Sequence, residues 1–517
     1  MDSDVDSKST AAQNQYDSTD SIHIDLKRRS LQSSLVTVTF QPLKFALGFG
    51  STSILARLLT PTDFGLLAMV APLLALVDSL TNLGLETATI QWDKLDREQA
   101  SAMFWFSLKP NALIIGFMLL MAPVLAWFYR EAELVEITLV MAIGVSSLCL
   151  TFQHRSLLKR QMRFGTITAI EIIALTVGVV FAVGAAWLGF RYWALVFQLV
   201  AMQVTQSFAS WLVCGWQPTT YTKTAKLDAD LRSMLSYGAH LTGFRFLTRI
   251  GNQLDRILIG YFGGAQALGL YYIAYKWAYF PFEQIYYPLF DVTVTSLSRA
   301  YRDPDLYRAY CRRGLALLFT LCLPALAFSF VEARNLLLVL LGEQWLEAVP
   351  LFQLLIASVS VTSMYRVTKW LYVSAGQTQR QFRWGLVYTT VTVVGVTMGA
   401  RWGAYGVAVG YTIATFLLTY PAIAYCLKTL PLSLREFLGT VWRPAVSAMM
   451  AASILAISRL ILPSFTNLVL DLLVRVILFG IAYLLLWIVL PGGRQASTDV
   501  WQSFKALRSN RNSSIGT

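Results

Sequence analysis

The sequence predicts an all-α, polytopic membrane protein of about 14 transmembrane helices, built as two parallel six-helix lobes plus two extra helices. Three features carry this expectation: the composition, the number of long apolar runs, and the sidedness of the basic residues. Of the 517 residues, 56% are hydrophobic and 14% charged, which is more apolar surface than a single soluble core buries. Runs such as ALIIGFMLLMAPVLAWF (112–128), AIEIIALTVGVVFAVGAAWLG (169–189) and LVRVILFGIAYLLLWIVL (473–490) approach or reach the roughly 18 to 20 apolar residues that cross a bilayer as a helix. The runs are continuous rather than alternating, and lipid offers no partner to backbone amides, so they form helices and not a barrel.

The first stretch, MDSDVDSKSTAAQNQYDSTD, is polar and rich in Asp and Ser. It lacks the basic-then-apolar order of a cleaved signal, so residues 1–30 read as a disordered cytoplasmic tail. Spans follow near 33–57, 64–90, 104–128, 135–153, 166–189, 192–215, 234–261, 267–295, 314–331, 348–373, 384–400, 404–426, 439–460 and 468–490. With KRR (27–29) inside, the alternate connections and the two tails hold about 26 Lys and Arg, and the opposite connections about five. This is the positive-inside bias, and it places both termini in the cytoplasm.

The phrase KRQMRFG (159–165), in the link between spans 4 and 5, returns as QRQFRWG (379–385) between spans 10 and 11. Two further pairs keep the same six-span distance: RYWALVFQ (191–198) with AYGVAVGY (404–411), and FGLLAMVA (64–71) with LGLYYIAY (268–275). A repeat of even span number preserves orientation, so the halves are parallel copies with any substrate site expected between them. The organisation read from this is an N-lobe at 31–215, a cytoplasmic linker at 216–233, a C-lobe at 234–428, two added spans within 429–491 and a cytoplasmic tail at 492–517. The repeated basic phrase itself is explained by topology and duplication, with lipid-phosphate contact at a cytoplasmic gate as the functional alternative.

LARLLTPTDFGLLAMV (55–70), NQLDRILIGYFGGAQALGLYYIAYKWAYFP (252–281), LLKRQMRFG and LLGEQWLEAVPLFQLL (340–355) give the chain a specific resemblance. It resembles the polysaccharide-exporter branch of the superfamily that also holds multidrug (MATE) extruders and lipid-linked oligosaccharide flippases, in particular the colanic-acid-exporter-like group. The resemblance implies an inner-membrane protein with a cavity that alternates its opening. It implies, too, flipping of an undecaprenyl-diphosphate-linked sugar repeat unit for exopolysaccharide, capsule or O-antigen assembly, alongside a polymerase and glycosyltransferases as partners.

Ionisable residues inside spans are costly and usually face a cavity or a partner. In span 7, Arg245, Arg249, Asn252 and Arg256 follow i, i+4, i+7, i+11 and share one stripe of the helix. Lys44 lies on a face of span 1 with Gly48 and Ser51, and Lys276, Arg366 and Lys369 add positive charge in the C-lobe. Guanidinium forks suit the diphosphate the resemblance implies; pairing with nearby acids, or snorkelling, is the structural alternative. Arg256 does not pair simply with Asp255, because adjacent helical residues do not share a face. Arg443 and Arg475, in the added spans, read as packing or snorkelling residues. Asp78 and Glu86 in span 2 are mirrored by Glu283 and Asp291 in span 8, candidates for proton or sodium coupling, with structural pairing to the arginines as the alternative. Glu171 in span 5 stands too isolated to assign. The ring-dense run 271–288 either anchors in lipid or stacks on sugars, and its Pro281 and Pro288 are a candidate hinge.

No GxxxxGK[ST] loop occurs, so the chain does not power itself with ATP. Five cysteines and three histidines show neither a disulfide framework nor metal-ligand spacing, so no metal, cofactor or catalytic residue is expected. A membrane-embedded glycan polymerase or ligase would need a sizeable outer loop, and YREAE (129–133) and GFR (189–191) are short. A multidrug cation antiporter would need an acidic cavity, against which the span 7 arginines argue. Basic loops placed between spans follow topology and contact anionic lipid headgroups, not nucleic acid.

Overall fold

The structure, a computed structural model, describes residues 22–81, 89, 97–219, 251, 253–461 and 465–491, and the side chains of most of them from residue 40 onward. The described residues are helical apart from short turns and loops, with no strand among them. They fall into two compact units, within Met1–Gln253 and Leu254–Thr517.

In the first unit the helices are α1 (Ile22–Leu58), α2 (Pro61–Thr81), α3 (Arg97–Tyr129), α4 (Glu133–Arg160), α5 (Phe164–Trp187) and α6 (Trp193–Cys214). In the second they are α7 (Leu254–Ala300), α8 (Pro304–Val331), the short α9 (Ala333–Leu340), α10 (Val349–Ser374), α11 (Thr378–Gly399), α12 (Gly403–Leu427), α13 (Leu434–Ile461) and α14 (Leu468–Val489). Eleven segments among the described residues are long and apolar enough to cross a membrane, and one of them, Thr378–Leu427, contains both α11 and α12. The protein is thus a multi-pass, all-α membrane protein.

Local chemistry sets the helix ends. At α2, Thr60 and Asp63 cap each other: the Thr60 amide and hydroxyl donate to Asp63 Oδ2 at 2.9 and 2.7 Å, while Pro61 fills the first helical position. Asp63 is buried, and Arg191 Nε at the α5–α6 turn stands 3.6 Å from its second oxygen. At α8, the Asp303 carboxylate accepts from the amides of Asp305 and Leu306 at 3.1 Å, again before a proline. In α7, Gly264 adopts φ +71°, a conformation that glycine reaches without strain, and breaks the helix there. Pro281 and Pro288 lie inside the helical stretch beyond it; Gly264 alone within α7 is non-helical.

Packing follows the same plan in both units: α4 and α5 lie against α6, as α10 and α11 lie against α12. The α5–α6 and α11–α12 hairpins approach closely through glycine. A Cβ on Gly178 would stand 2.8 Å from the Gln198 carbonyl oxygen, and one on Gly395 2.8 Å from that of Gly410. The second hairpin carries GVTMG (395–399) opposite GVAVG (406–410), the small-residue spacing that lets helix backbones meet in lipid. Large apolar side chains such as Leu113, Trp127, Trp187, Leu460 and Val489 remain outside the packed interior, as a lipid solvent allows.

The added helices are held by charge as well as packing. Arg475 does not snorkel: it is buried, and its Nε donates to Asp471 Oδ2 at 2.6 Å. The reason is the presence of two buried acids, Asp471 and Glu332, at the same end of the helices. All five cysteines are free and buried.

Candidate functional site

Each unit contains its own cluster of polar side chains held between its helices. In the first unit, Lys44 of α1 is ion-paired with Glu171 of α5, whose other oxygen accepts from Arg155 Nη2 of α4 at 3.1 Å. Arg155 also donates through Nη1 to Gln206 Oε1 of α6 at 3.0 Å. Four helices are thereby tied through one carboxylate shared by two cations. Glu171 is therefore not isolated. Its partner was readable from the sequence, because Arg155 and Glu171 lie at nearly equal distances on either side of the α4–α5 turn and meet across that hairpin.

Beside this cluster lies a cavity of about 380 Å³ lined by Asp78, Asn111, Arg155, Lys159 and Gln203 among apolar residues. Gln203 Oε1 is buried and accepts no hydrogen bond. The α4 residue opposite it is Gly144, where any side chain would collide with the Gln203 amide. Asp78 is exposed on this cavity wall.

In the second unit, tyrosines surround a guanidinium. Tyr271, Tyr275 and Tyr279 recur every fourth residue on α7 with Glu283 next in the series, and so share one stripe. Tyr275 and Tyr279 stack with ring centroids 4.3 Å apart. Arg366 of α10 lies over the rings of Tyr279 and Phe282, at 5.0 and 5.6 Å from their centroids, within cation–π range. Its Nη1 is 3.9 Å from Glu283 Oε1, and its backbone carbonyl accepts from the Tyr286 hydroxyl at 3.0 Å. The Tyr279 hydroxyl meets that of Tyr411, on α12, at 2.8 Å. Tyr365 stacks on Tyr388 of α11 with ring centroids 4.1 Å apart.

Arg256 stands over Tyr272 and Tyr275, at 5.7 and 5.3 Å. Asp255 turns elsewhere and accepts from the Tyr271 hydroxyl at 2.9 Å. Lys369, exposed, lies 5.2 Å from the Phe290 ring centroid. Lys276 and Asp291 are exposed. Arg245, Arg249, Asn252 and Glu86 lie outside the described residues. Sequence reasoning singled out Arg366 and Glu283 but missed Tyr411, Tyr388 and Gln203, because ordinary residues in apolar runs carry no signal until the fold supplies their neighbours. Among the described residues no group of His, Cys, Asp and Glu could hold a metal ion.

Ionisable side chains held between membrane-capable helices, some facing a cavity, mark a functional site in a multi-pass membrane protein. The chain belongs to the polysaccharide biosynthesis protein family, whose model matches residues 54–350, more than half of its length. It is 24% identical over 427 residues to the teichuronic acid biosynthesis protein TuaB of Bacillus subtilis, covering 81% of this chain and 85% of that protein. It is also 24% identical over 417 residues to the succinoglycan biosynthesis transport protein ExoT of Rhizobium meliloti, covering 79% and 82%. Among solved structures, the lipid II flippase MurJ in an inward closed conformation superposes with a TM-score of 0.69 at 11% identity, over 89% of this chain and 98% of that one. That likeness is one of fold.

Proposed function

We propose that the protein moves a lipid-linked oligosaccharide, an undecaprenyl-diphosphate-linked repeat unit, across the inner membrane by alternating access, with both termini cytoplasmic and two lobes of six spans at 31–215 and 234–428. Membership of the polysaccharide biosynthesis family supports a glycan cargo. The observation that carries the reading is Arg366, a guanidinium caged by aromatic rings in the interior of a span and only loosely countered by Glu283 at 3.9 Å. A guanidinium so placed retains donors for an anionic oxygen where water is scarce, and flanking tyrosines offer faces and hydroxyls to sugar rings. In the first unit, Arg155 and Lys159 give the cavity wall the same cationic character. An extruder of lipophilic cations would need the reverse polarity. Energy comes from a proton or sodium gradient through Asp78 and Glu283, and the product feeds a polymerase.

The test is deletion of the gene in its own cells. Surface polysaccharide should be lost while the lipid-linked repeat unit accumulates at the cytoplasmic face, and wild-type protein should reverse both. Normal export without the gene, or lost export with no accumulated intermediate, rejects the reading.

A further inference from the structure

Away from both clusters, a second cavity of about 530 Å³ opens where α8, α13 and α14 meet, lined by Arg312, Arg313, Thr320, Glu436, Arg443 and Trp487 among others. Its charge is unbalanced. Arg312 and Arg313 are exposed on α8 and make no hydrogen bond or close ion pair among the described residues, Arg312 attracting the Glu436 carboxylate only at longer range. Arg443 is half-buried with its Nε enclosed and without a hydrogen-bond partner. The one carboxylate on the wall, Glu436, is already used: its Oε2 accepts from the Ser433 amide at 2.9 Å and from the Ser433 hydroxyl at 2.8 Å, closing the cap of α13. The Thr320 hydroxyl, in a residue more than nine-tenths buried, has no partner either.

Depth along the helices fixes what such a cavity meets. Arg312 and Arg313 immediately precede the apolar run GLALLFTLCLPALAFSFV (314–331), and Arg443 immediately precedes PAVSAMMAASILAIS (444–458). Trp487 lies in the last turn of α14, at the same end. Three guanidiniums therefore stand at the level where apolar helix gives way to water, beside the buried Trp487. Above them the wall continues through Ala316, Thr320 and Pro444 toward the apolar depth.

We infer that this cavity is a binding site for a phosphodiester, and that its occupant is an anionic glycerophospholipid of the surrounding leaflet. The phosphate oxygens accept from Arg312, Arg313 and Arg443, while the glycerol and upper acyl chains lie along Ala316, Pro444 and Trp487. Guanidinium forks match phosphate oxygens, and basic pockets between membrane helices select anionic headgroups. The inference is independent of what the protein transports, and its test uses no cargo.

The full chain, purified in non-ionic detergent, is titrated with phosphatidylglycerol or phosphatidylcholine, and bound lipid is counted by native mass spectrometry. Phosphatidylglycerol should be retained, and Arg312→Gln with Arg313→Gln and Arg443→Gln should weaken it at least tenfold while leaving phosphatidylcholine unchanged. Arg312→Gln alone, at an exposed position that folding tolerates, should weaken it about threefold, and inorganic phosphate should not displace it. Equal retention by wild type and both variants overturns the site, and displacement by inorganic phosphate shows a free-phosphate pocket instead of a lipid site.

Discussion

Arg459, near the end of α13, donates through Nη2 to Glu332 Oε2 at 2.7 Å, and Glu332 is fully buried. The same carboxylate accepts from Asn335 Nδ2 at 2.9 Å and faces Arg475 Nη1 at 3.8 Å through its other oxygen. Arg459 also caps the end of α8 by donating to the Val331 carbonyl at 3.0 Å. One buried acid thus joins α8 and α9 to the two added helices.

Removing that acid leaves Arg459 and Arg475 with only Asp471 as nearby counter-charge, and breaking a buried pair costs about 3–5 kcal/mol. Glu332→Gln should therefore lower the thermal unfolding temperature in detergent and expose the α13–α14 region to protease. Arg459→Lys, which keeps the charge and loses the second donor, should show a smaller effect in the same proteolysis assay.

A second structural prediction concerns the α11–α12 hairpin. Gly399→Ala or Gly410→Ala inserts a methyl group against the facing backbone, and overpacking of this kind costs about 1–3 kcal/mol. Gly184→Ala, where a Cβ meets nothing within 4 Å, is the matched control and should be neutral or slightly stabilising. Thermal stability of the three purified variants separates close packing from a general intolerance of alanine.

The all-α membrane fold was legible because span hydropathy is a one-dimensional property: each run declares its own cost of leaving lipid. Charged residues in those runs were legible for the same reason, which is why Lys44, Arg366 and Glu283 stood out. Their partners were not. Tyr279 and Tyr411 are 132 residues apart, and nothing local to either records the other. The paired GxxxG motifs at 395–399 and 406–410 were open to reading, being a spacing pattern, as was the Arg155–Glu171 pairing across its hairpin. Arg475 read as a packing or snorkelling residue; its i−4 partner Asp471 was open to reading, whereas Glu332, at the end of α8, is far away in the chain.

Orientation can be checked directly. Reporter fusions at 130, 263 and 402 should score outside, and fusions after 163 and 428 inside, as the Lys and Arg distribution requires. A cytoplasmic signal at two of the first three positions reverses the topology.

The proposed coupling to an ion gradient would run through Asp78, on the wall of the first unit's cavity, and Glu283, beside Arg366. Asp78→Asn combined with Glu283→Gln should abolish the dependence of transport on the proton or sodium gradient in vesicles. Transport by the double variant that keeps its full gradient dependence removes both residues from the coupling step.

The most discriminating prediction concerns Arg366. Arg366→Ala takes a guanidinium from over Tyr279 and leaves Glu283 without its cation, so stability and function both change and must be separated. Arg366→Lys keeps the charge but loses the planar fork and its stacking on the ring. Loss of a hydrogen bond to a charged partner costs about 1.5–3 kcal/mol, so Arg366→Ala should weaken interaction with a lipid-diphosphate glycan by roughly ten- to a hundredfold, with lysine restoring only part of it. Glu283→Gln removes the competing carboxylate and should hold or strengthen binding while altering the gradient response. The measurement is export of lipid-linked glycan in cells lacking the native protein, at matched abundance and membrane insertion for each variant. If Arg366→Ala exports normally while Glu283→Gln alone lowers protein abundance, the caged guanidinium is a structural ion pair, and the cargo contact must lie among the first unit's cations.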